Sequence, residues 1–314
     1  MTGFAELAAA TSYSFLRGAS HPADMVAAAI GQGQAGIGIA DRNTVAGVVR
    51  AHVALKQARE DAAAAGLPDI PFRLVVGARL VFMDGTPDIV AYPATRMGWG
   101  RLTRLLTTGN LRARKGDCDL TIDDLIGHAE ELLLIVMGGA GDGAVLRRLR
   151  AACPGRVWLG ATMPRGGRDR RRLAALMRVA GEAGVPILAT NDPLYATPDQ
   201  RPLHDVLTCI RHGTTIAEAG RRLAANGERH VKPPQEMTRL FRDCPGAVAE
   251  SVALIARIGF DLDQLRYEYP REPVPEGWEP QGWLEHLVEQ AARRRRSTAP
   301  SPAPPITISS NSSA

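Results

Sequence analysis

The stretch Ile37-Gly38-Ile39-Ala40-Asp41-Arg42-Asn43-Thr44 places four small or β-branched residues ahead of an abrupt polar cluster. Such a run reads as a short buried strand, with Asp41 at its end. From Thr44 to Ala65 the pattern changes period. Val45, Val48, Val49, His52 and Leu55 step by three and four, which places them on one face of a helix. Upstream, His21-Pro22 marks the entry to another helix, Pro22 to Ile30, with Met25, Val26, Ala29 and Ile30 on one face. Downstream, Leu74 to Met83 is β-rich and ends in an Asp84-Gly85 turn, and Asp88 to Tyr92 is a further strand closed by Pro93. Strands are also expected at Leu132–Met137, Arg156–Met163 and Val185–Thr190, with helices near 142–152 and 168–184.

Strand alternating with helix is the signature of a parallel α/β domain. Counting the N-terminal segment gives about seven strands, and a closed, distorted (β/α) barrel is preferred over an open doubly wound sheet. Periodicity alone does not separate the two. From about Pro202 the strands stop, and helices are expected at 202–211, 216–226, 233–243 and 245–258. The expected organisation is a barrel over residues 1–201, a helical extension over 202–296 and a disordered Ser/Pro-rich tail over 297–314. Within the extension, Phe260 to Pro280 reads as an irregular connector and Trp283 to Arg296 as an amphipathic helix.

Hydrophobic residues make up 45% and charged residues 23% of the 314, the balance of a soluble globular chain with a substantial core. The formal charge of +5 permits contact with nucleic acid without requiring it. The four cysteines, at 118, 153, 209 and 244, form no C-x-x-C pair, which argues against a zinc ribbon and for reduced thiols in a cytoplasmic protein. Glu6 interrupts the N-terminal apolar segment and no basic flank precedes it, so no leader is expected; no run reaches the length of a membrane helix.

In a barrel, reactive groups gather where strands end at the C-terminal face. Asp41 follows one strand; Asn191 and Asp192 follow another. Two carboxylates and an amide there are able to hold a hard cation such as Mg²⁺. The same residue types also form turns and cap helices, and spacing leaves both readings open. None of the seven histidines forms an H-x-H or H-E-x-x-H pair, so no transition-metal cluster is expected. The pairs Asp117/Asp119 and Asp261/Asp263 are of a kind frequent by chance. The glycine-rich run Gly138 to Gly143 lacks the Lys-Ser/Thr of a phosphate-binding loop and is expected to lead into the helix near Asp142.

Several stretches resemble one family. Tyr13-Ser14-Phe15-Leu16-Arg17-Gly18-Ala19-Ser20-His21-Pro22 is the most specific of them. Ile39-Ala40-Asp41-Arg42-Asn43-Thr44, Val76-Gly77-Ala78-Arg79-Leu80, Lys115-Gly116-Asp117-Cys118 and Ala189-Thr190-Asn191-Asp192-Pro193-Leu194-Tyr195 continue the series. So do Glu228-Arg229-His230-Val231-Lys232-Pro233-Pro234 and Leu265 to Pro270. Together they resemble the N-terminal PHP (polymerase and histidinol phosphatase-like) domain of error-prone bacterial DNA polymerases.

The resemblance implies a distorted seven-stranded PHP barrel followed by a helical extension. It also implies DNA and other polymerase modules as partners, damage-tolerance accessory proteins, and a role in translesion synthesis. In the wider family such barrels hold up to three metals. Here the positions matching the H-x-H pair are Ala8 and Ala10, the expected acid is Arg79 and the expected histidine is Arg42. Only Asp41 and Asp192 survive as remnants of that site. No catalytic residue and no cofactor are expected in this chain, Mg²⁺ being needed by the full-length family. The expectation is a structural role in a chain ending before the polymerase palm. The alternative is a stand-alone metal-dependent phosphoesterase.

Overall fold

The computed structural model describes residues 3–265 and 273–298. The chain divides into two compact units, residues 1–265 and 266–314. In the first, seven strands are laid down in chain order: β1 (Ala5–Ala9), β2 (Gly36–Arg42), β3 (Arg73–Leu80), β4 (Ile89–Pro93), β5 (Leu132–Val136), β6 (Val157–Ala161) and β7 (Ile187–Ala189). Spatial order repeats sequence order from β1 to β7. Helices α1 (Pro22–Gly31), α2 (Val48–Ala64), α3 (Arg96–Arg112), α4 (Ile122–His128), α5 (Gly143–Ala152) and α6 (Asp169–Ala183) fill the connections.

The sheet departs from an all-parallel reading at one strand. β4 runs antiparallel to both β3 and β5, while the other neighbours are parallel. The cause is local: residues 81–88, with Gly85 in the left-handed region at φ 82°, are too few for a helical crossover. Strands such as Leu-Leu-Leu-Ile-Val in β5 are buried throughout, as a sheet covered on both faces requires.

The curled interior is filled by Leu7, Val90, Tyr92, Ile135, Trp158 and Leu188 among others. Tyr92 is fully buried and its hydroxyl donates to Leu7 O at 3.0 Å. The ring lies where Gly38 and Gly77 have no side chain: a Cβ at Gly38 would stand 2.1 Å from its hydroxyl, and one at Gly77 2.7 Å from its ring. Two neighbouring strands thus give up a side chain each to one aromatic.

The remaining helices of this unit are α7 (Arg201–His212), α8 (Ile216–Ala219), α9 (Pro234–Leu240) and α10 (Gly246–Ala256). α10 packs against both β1 and β7, covering the seam between first and last strands. There Ala5 N donates to Ser251 Oγ (3.1 Å), and Trp158 Nε1 donates to Glu250 Oε1 (2.7 Å).

Two differences from the pattern reading have simple causes. α3 and α4 are helices that periodicity does not mark. Gly98, Gly100 and Gly109 depress the propensity of α3, but Thr95 Oγ1 caps it by accepting from Gly98 N, and Leu102, Leu105 and Leu106 bury one face. Conversely, the helix expected over 216–226 stops after one turn, at Gly220 with φ 51°. In the second unit, α11 spans Pro280–Thr298, and Trp278, Trp283 and His286 form a ring cluster with centroids 5.0–5.4 Å apart. The Tyr267–Pro270 motif and the Ser/Pro-rich tail from residue 299 lie outside the described residues.

Candidate functional site

The mouth of the sheet is formed by the C-terminal ends of β1, β2, β3 and β7. Ala8 and Ala10, at the end of β1, are buried and bring no donor atom. Asp41, at the end of β2, is buried and spent on the backbone that follows β1. Its Oδ1 accepts from Thr11 N and from Ser14 Oγ, both at 2.7 Å, and its Oδ2 accepts from Thr11 Oγ1 at 2.8 Å. Burial pushes its carboxyl upward, against the pull of those hydrogen bonds.

Asp192 follows β7 with φ 49°, in the left-handed region that aspartate tolerates. Its two carboxylate oxygens face two guanidiniums: Arg79 donates to Oδ1 and Arg229 to Oδ2. Arg229 Nε also donates to the Asp192 carbonyl at 2.8 Å, and Arg79 reaches Asp88 at 3.5 Å. Arg79 is nearly buried. Burial alone would lower its pKa, but Asp192 and Asp88 outweigh that and raise it.

Asn191 does not turn toward the cavity as a ligand. Its side-chain amide donates to Glu228 O (2.7 Å) and His230 O (2.6 Å), tying down the segment that carries Arg229. Its backbone N donates to Glu6 Oε2 at 2.8 Å. Glu6 also accepts from Ala8 N (2.9 Å) and Thr190 Oγ1, and it bridges the first strand to the end of the last. Burial raises its pKa from 4.5 to about 7 despite those donors. In the sequence Glu6 bears on the absence of a leader and stands in the Phe4-Ala5-Glu6-Leu7 stretch of the family resemblance, but not among the expected site residues. The missed signal is a lone acid inside the buried run Ala-Glu-Leu-Ala-Ala.

A cavity of about 330 Å³ opens here, lined by Arg17, Arg42, Arg79, His204, Thr208 and Arg211 among others. The last three come from α7 at spacings of four and three, one helical face. The other sequence candidates lie elsewhere. Asp117 and Asp119 sit in the loop after α3. Asp261 and Asp263 meet His52 of α2, whose Nε2 is 3.2 Å from Asp263 Oδ1. Both acids are exposed, and Asp261 caps its own turn by accepting from Asp263 N. In the glycine-rich run, Asp142 Oδ2 accepts from Gly139 N at 2.6 Å and closes the loop before α5.

Residues 6–160 match the family model of the PHP domain. Over 299 residues the chain is 49% identical to an error-prone DNA polymerase of Brucella abortus biovar 1 (strain 9-941), covering 94% of this chain and 27% of that protein. It is 51% identical over 290 residues to an error-prone DNA polymerase of Rhodopseudomonas palustris (strain BisB5), covering 91% and 25%. The chain therefore spans about a quarter of the length of these curated relatives. A solved amidohydrolase from Chromobacterium violaceum is 15% identical with a TM-score of 0.38, over 60% of this chain and 87% of that one, a likeness too loose to reason from. On the family match and the near-half identity to these polymerases, the chain contains a PHP domain.

Proposed function

We propose that this chain serves as the PHP module of an error-prone DNA polymerase acting in damage-tolerant synthesis, and that its barrel is a scaffold and not a hydrolase. The arrangement Arg79–Asp192–Arg229 carries the second half of this reading. A phosphoesterase of the family needs several metal ions held by His, Asp and Glu. The residues present do not fit such a centre. Ala8 and Ala10 offer no ligand atom, a guanidinium stands where a carboxylate is needed, and both oxygens of Asp192 are taken by cations. Asp41 is committed to the Thr11–Ser14 loop.

Near-half identity to error-prone polymerases across almost the whole chain supports the first half. In this reading, nucleotidyl transfer and its Mg²⁺ belong to parts of such a polymerase beyond the quarter matched here. The partners are DNA, the other polymerase modules and damage-tolerance accessory proteins, and the compartment is the cytoplasm. Among the described residues no helix is long and apolar enough to cross a membrane.

Elemental analysis of the purified chain, with a chromogenic phosphodiester assay in added Mn²⁺, Zn²⁺ or Mg²⁺, tests the scaffold reading. Neither stoichiometric metal nor hydrolysis is expected. Metal-dependent hydrolysis lost in Asp41→Ala and Asp192→Ala would overturn it and favour a phosphoesterase. The polymerase half is tested by a chimera in which this chain replaces the matching segment of the Brucella enzyme. Primer extension should persist; a folded chimera without synthesis refutes the reading.

A further inference from the structure

The loop after β6 and the start of α6 read Met163-Pro164-Arg165-Gly166-Gly167-Arg168-Asp169-Arg170-Arg171-Arg172. Five arginines stand against one acid there, in a chain whose whole excess is +5. Arg165, Arg168, Arg170 and Arg171 line an open depression of about 580 Å³, and none of its lining residues lines the cavity in the mouth of the sheet. Helix formation does not explain the arginines. A helix start favours acids and a Ser, Thr, Asp or Asn cap, whereas α6 has Arg168 at the cap position, without a capping bond, and three successive arginines after Asp169. Asp169 alone follows the rule, and its Oδ2 accepts from Gly166 N at 2.8 Å within the loop.

Ion pairs account for part of the charge. Arg165 reaches Glu228 at 3.3 Å and Glu236 at 2.6 Å, Arg170 grips Asp243 with two bonds of 2.6 and 2.9 Å, and Arg172 donates to Thr162 O and Oγ1. Those acids are themselves shared, Glu228 and Glu236 with the buried Lys232 and Asp243 with the neighbouring Arg242. Arg168 and Arg171 are exposed and make neither hydrogen bond nor ion pair among the described residues. No aromatic side chain lines the depression.

We propose that this face binds the phosphate backbone of duplex DNA without reading its sequence, with Arg168 and Arg171 as the arms that meet phosphates. Guanidinium forks suit phosphate oxygens, and Arg165 and Arg170, held by their acids, keep the surrounding field positive. Contacts of this kind position a protein on a duplex and carry no base information. A single strand gains most of its grip from rings on which bases stack, and this depression offers none, so the duplex is the favoured form. The inference deepens the polymerase reading by naming the surface at which this module meets DNA. It rests on that reading only for the choice of DNA among polyanions.

The test is fluorescence anisotropy of a labelled duplex of about 20 base pairs, titrated with the full chain from about 20 to about 200 mM salt. Micromolar binding is expected at low salt, falling steeply as salt rises. Arg168→Gln combined with Arg171→Gln should weaken it at least about tenfold and make the logarithmic salt slope shallower by about two, since each neutralised phosphate contributes about 0.9. Arg168→Lys combined with Arg171→Lys keeps the charge and should keep most of the binding. Arg293→Gln combined with Arg294→Gln, on α11, is the comparator and should change little. Melting temperatures show whether each variant is folded. If the glutamine pair melts early, Arg171→Gln alone replaces it, with a slope shallower by about one. Absence of binding at about 100 μM chain in low salt overturns the proposal. So does binding that the glutamine variants leave unchanged, or that the α11 comparator abolishes. A single strand of the same length that binds more tightly than the duplex overturns the choice of partner. Primer extension by the chimera, persisting beside any of these failures, would leave the polymerase reading standing.

Discussion

The fully buried Glu6 makes stability depend on pH with a predictable sign. Its pKa stands at about 7 in the folded chain against an ordinary 4.5, because burial outweighs the donors Thr190 Oγ1, Asn191 N and Ala8 N. Between those two values the folded chain holds a proton that the unfolded chain has released. Unfolding then releases protons, so stability falls as pH rises. The contribution is fully present below pH 4.5 and lost as pH climbs through about 7. At about 1.4 kcal/mol per pH unit the loss across that window comes to about 3 kcal/mol. Urea unfolding of the parent and of Glu6→Gln, from pH 4.5 to 8.5, measures it. The glutamine variant carries a constant penalty, since its amide must face either Asn191 N or the Ala8–Thr190 pair, but it cannot titrate. The difference between the two proteins should therefore change by about 3 kcal/mol over the range, with the parent losing ground at high pH. Two curves running parallel from pH 5 to 8 would show that Glu6 is ionised throughout, and that its three donors, not burial, set its state.

Asp192→Asn leaves Arg79 and Arg229 facing each other without the carboxylate and should cost about 3 kcal/mol in urea unfolding; a neutral result would mean the guanidiniums find other partners. Tyr92→Phe removes a buried hydrogen bond to Leu7 O and should cost about 1–2 kcal/mol with no change in the denaturant slope. Gly77→Ala would set a methyl 2.3 Å from Ala91 O, which is backbone and unable to swing away, and should cost about 3 kcal/mol or abolish soluble expression.

The strands are legible because most are short, largely apolar runs such as those of β4 and β5, and Asp84-Gly85 declares the turn before β4. That the turn also reverses β4 follows from the length of the connection, which alternation of strand and helix does not reveal. α3 is hidden by its glycines and appears only when Leu102, Leu105 and Leu106 are given a sheet to pack on. At the site, Asp41 and Asp192 can be found from strand ends, and Arg79 from its place in a motif. The arginine cluster cannot. Arg17, Arg42 and Arg211 come from the loop after β1, the end of β2 and helix α7, and no local pattern announces that they meet. The same holds for His52 and Asp263. Only the α7 face, His204, Thr208 and Arg211, has a helical spacing that points to a shared wall.

Metal ions in a barrel mouth do two things: they activate chemistry, and they tie strand ends together. The second job survives here in other materials. Arg79, near the end of β3, reaches Asp192 beyond β7, and Arg229 fixes the same carboxylate from the segment before α9. On the far side Glu6 of β1 takes Thr190 and Asn191. These contacts join the first, third and last strands around the opening, as a shared ion would. They are made of protein atoms and hold at whatever concentration of metal the surroundings offer. They also surrender the first job, because a guanidinium activates no water and presents no exchangeable coordination site. A mouth built this way favours the retention of shape and of positive charge over turnover. The substitutions that matter most in it, Asp192→Asn and Glu6→Gln, should therefore register first as changes in stability.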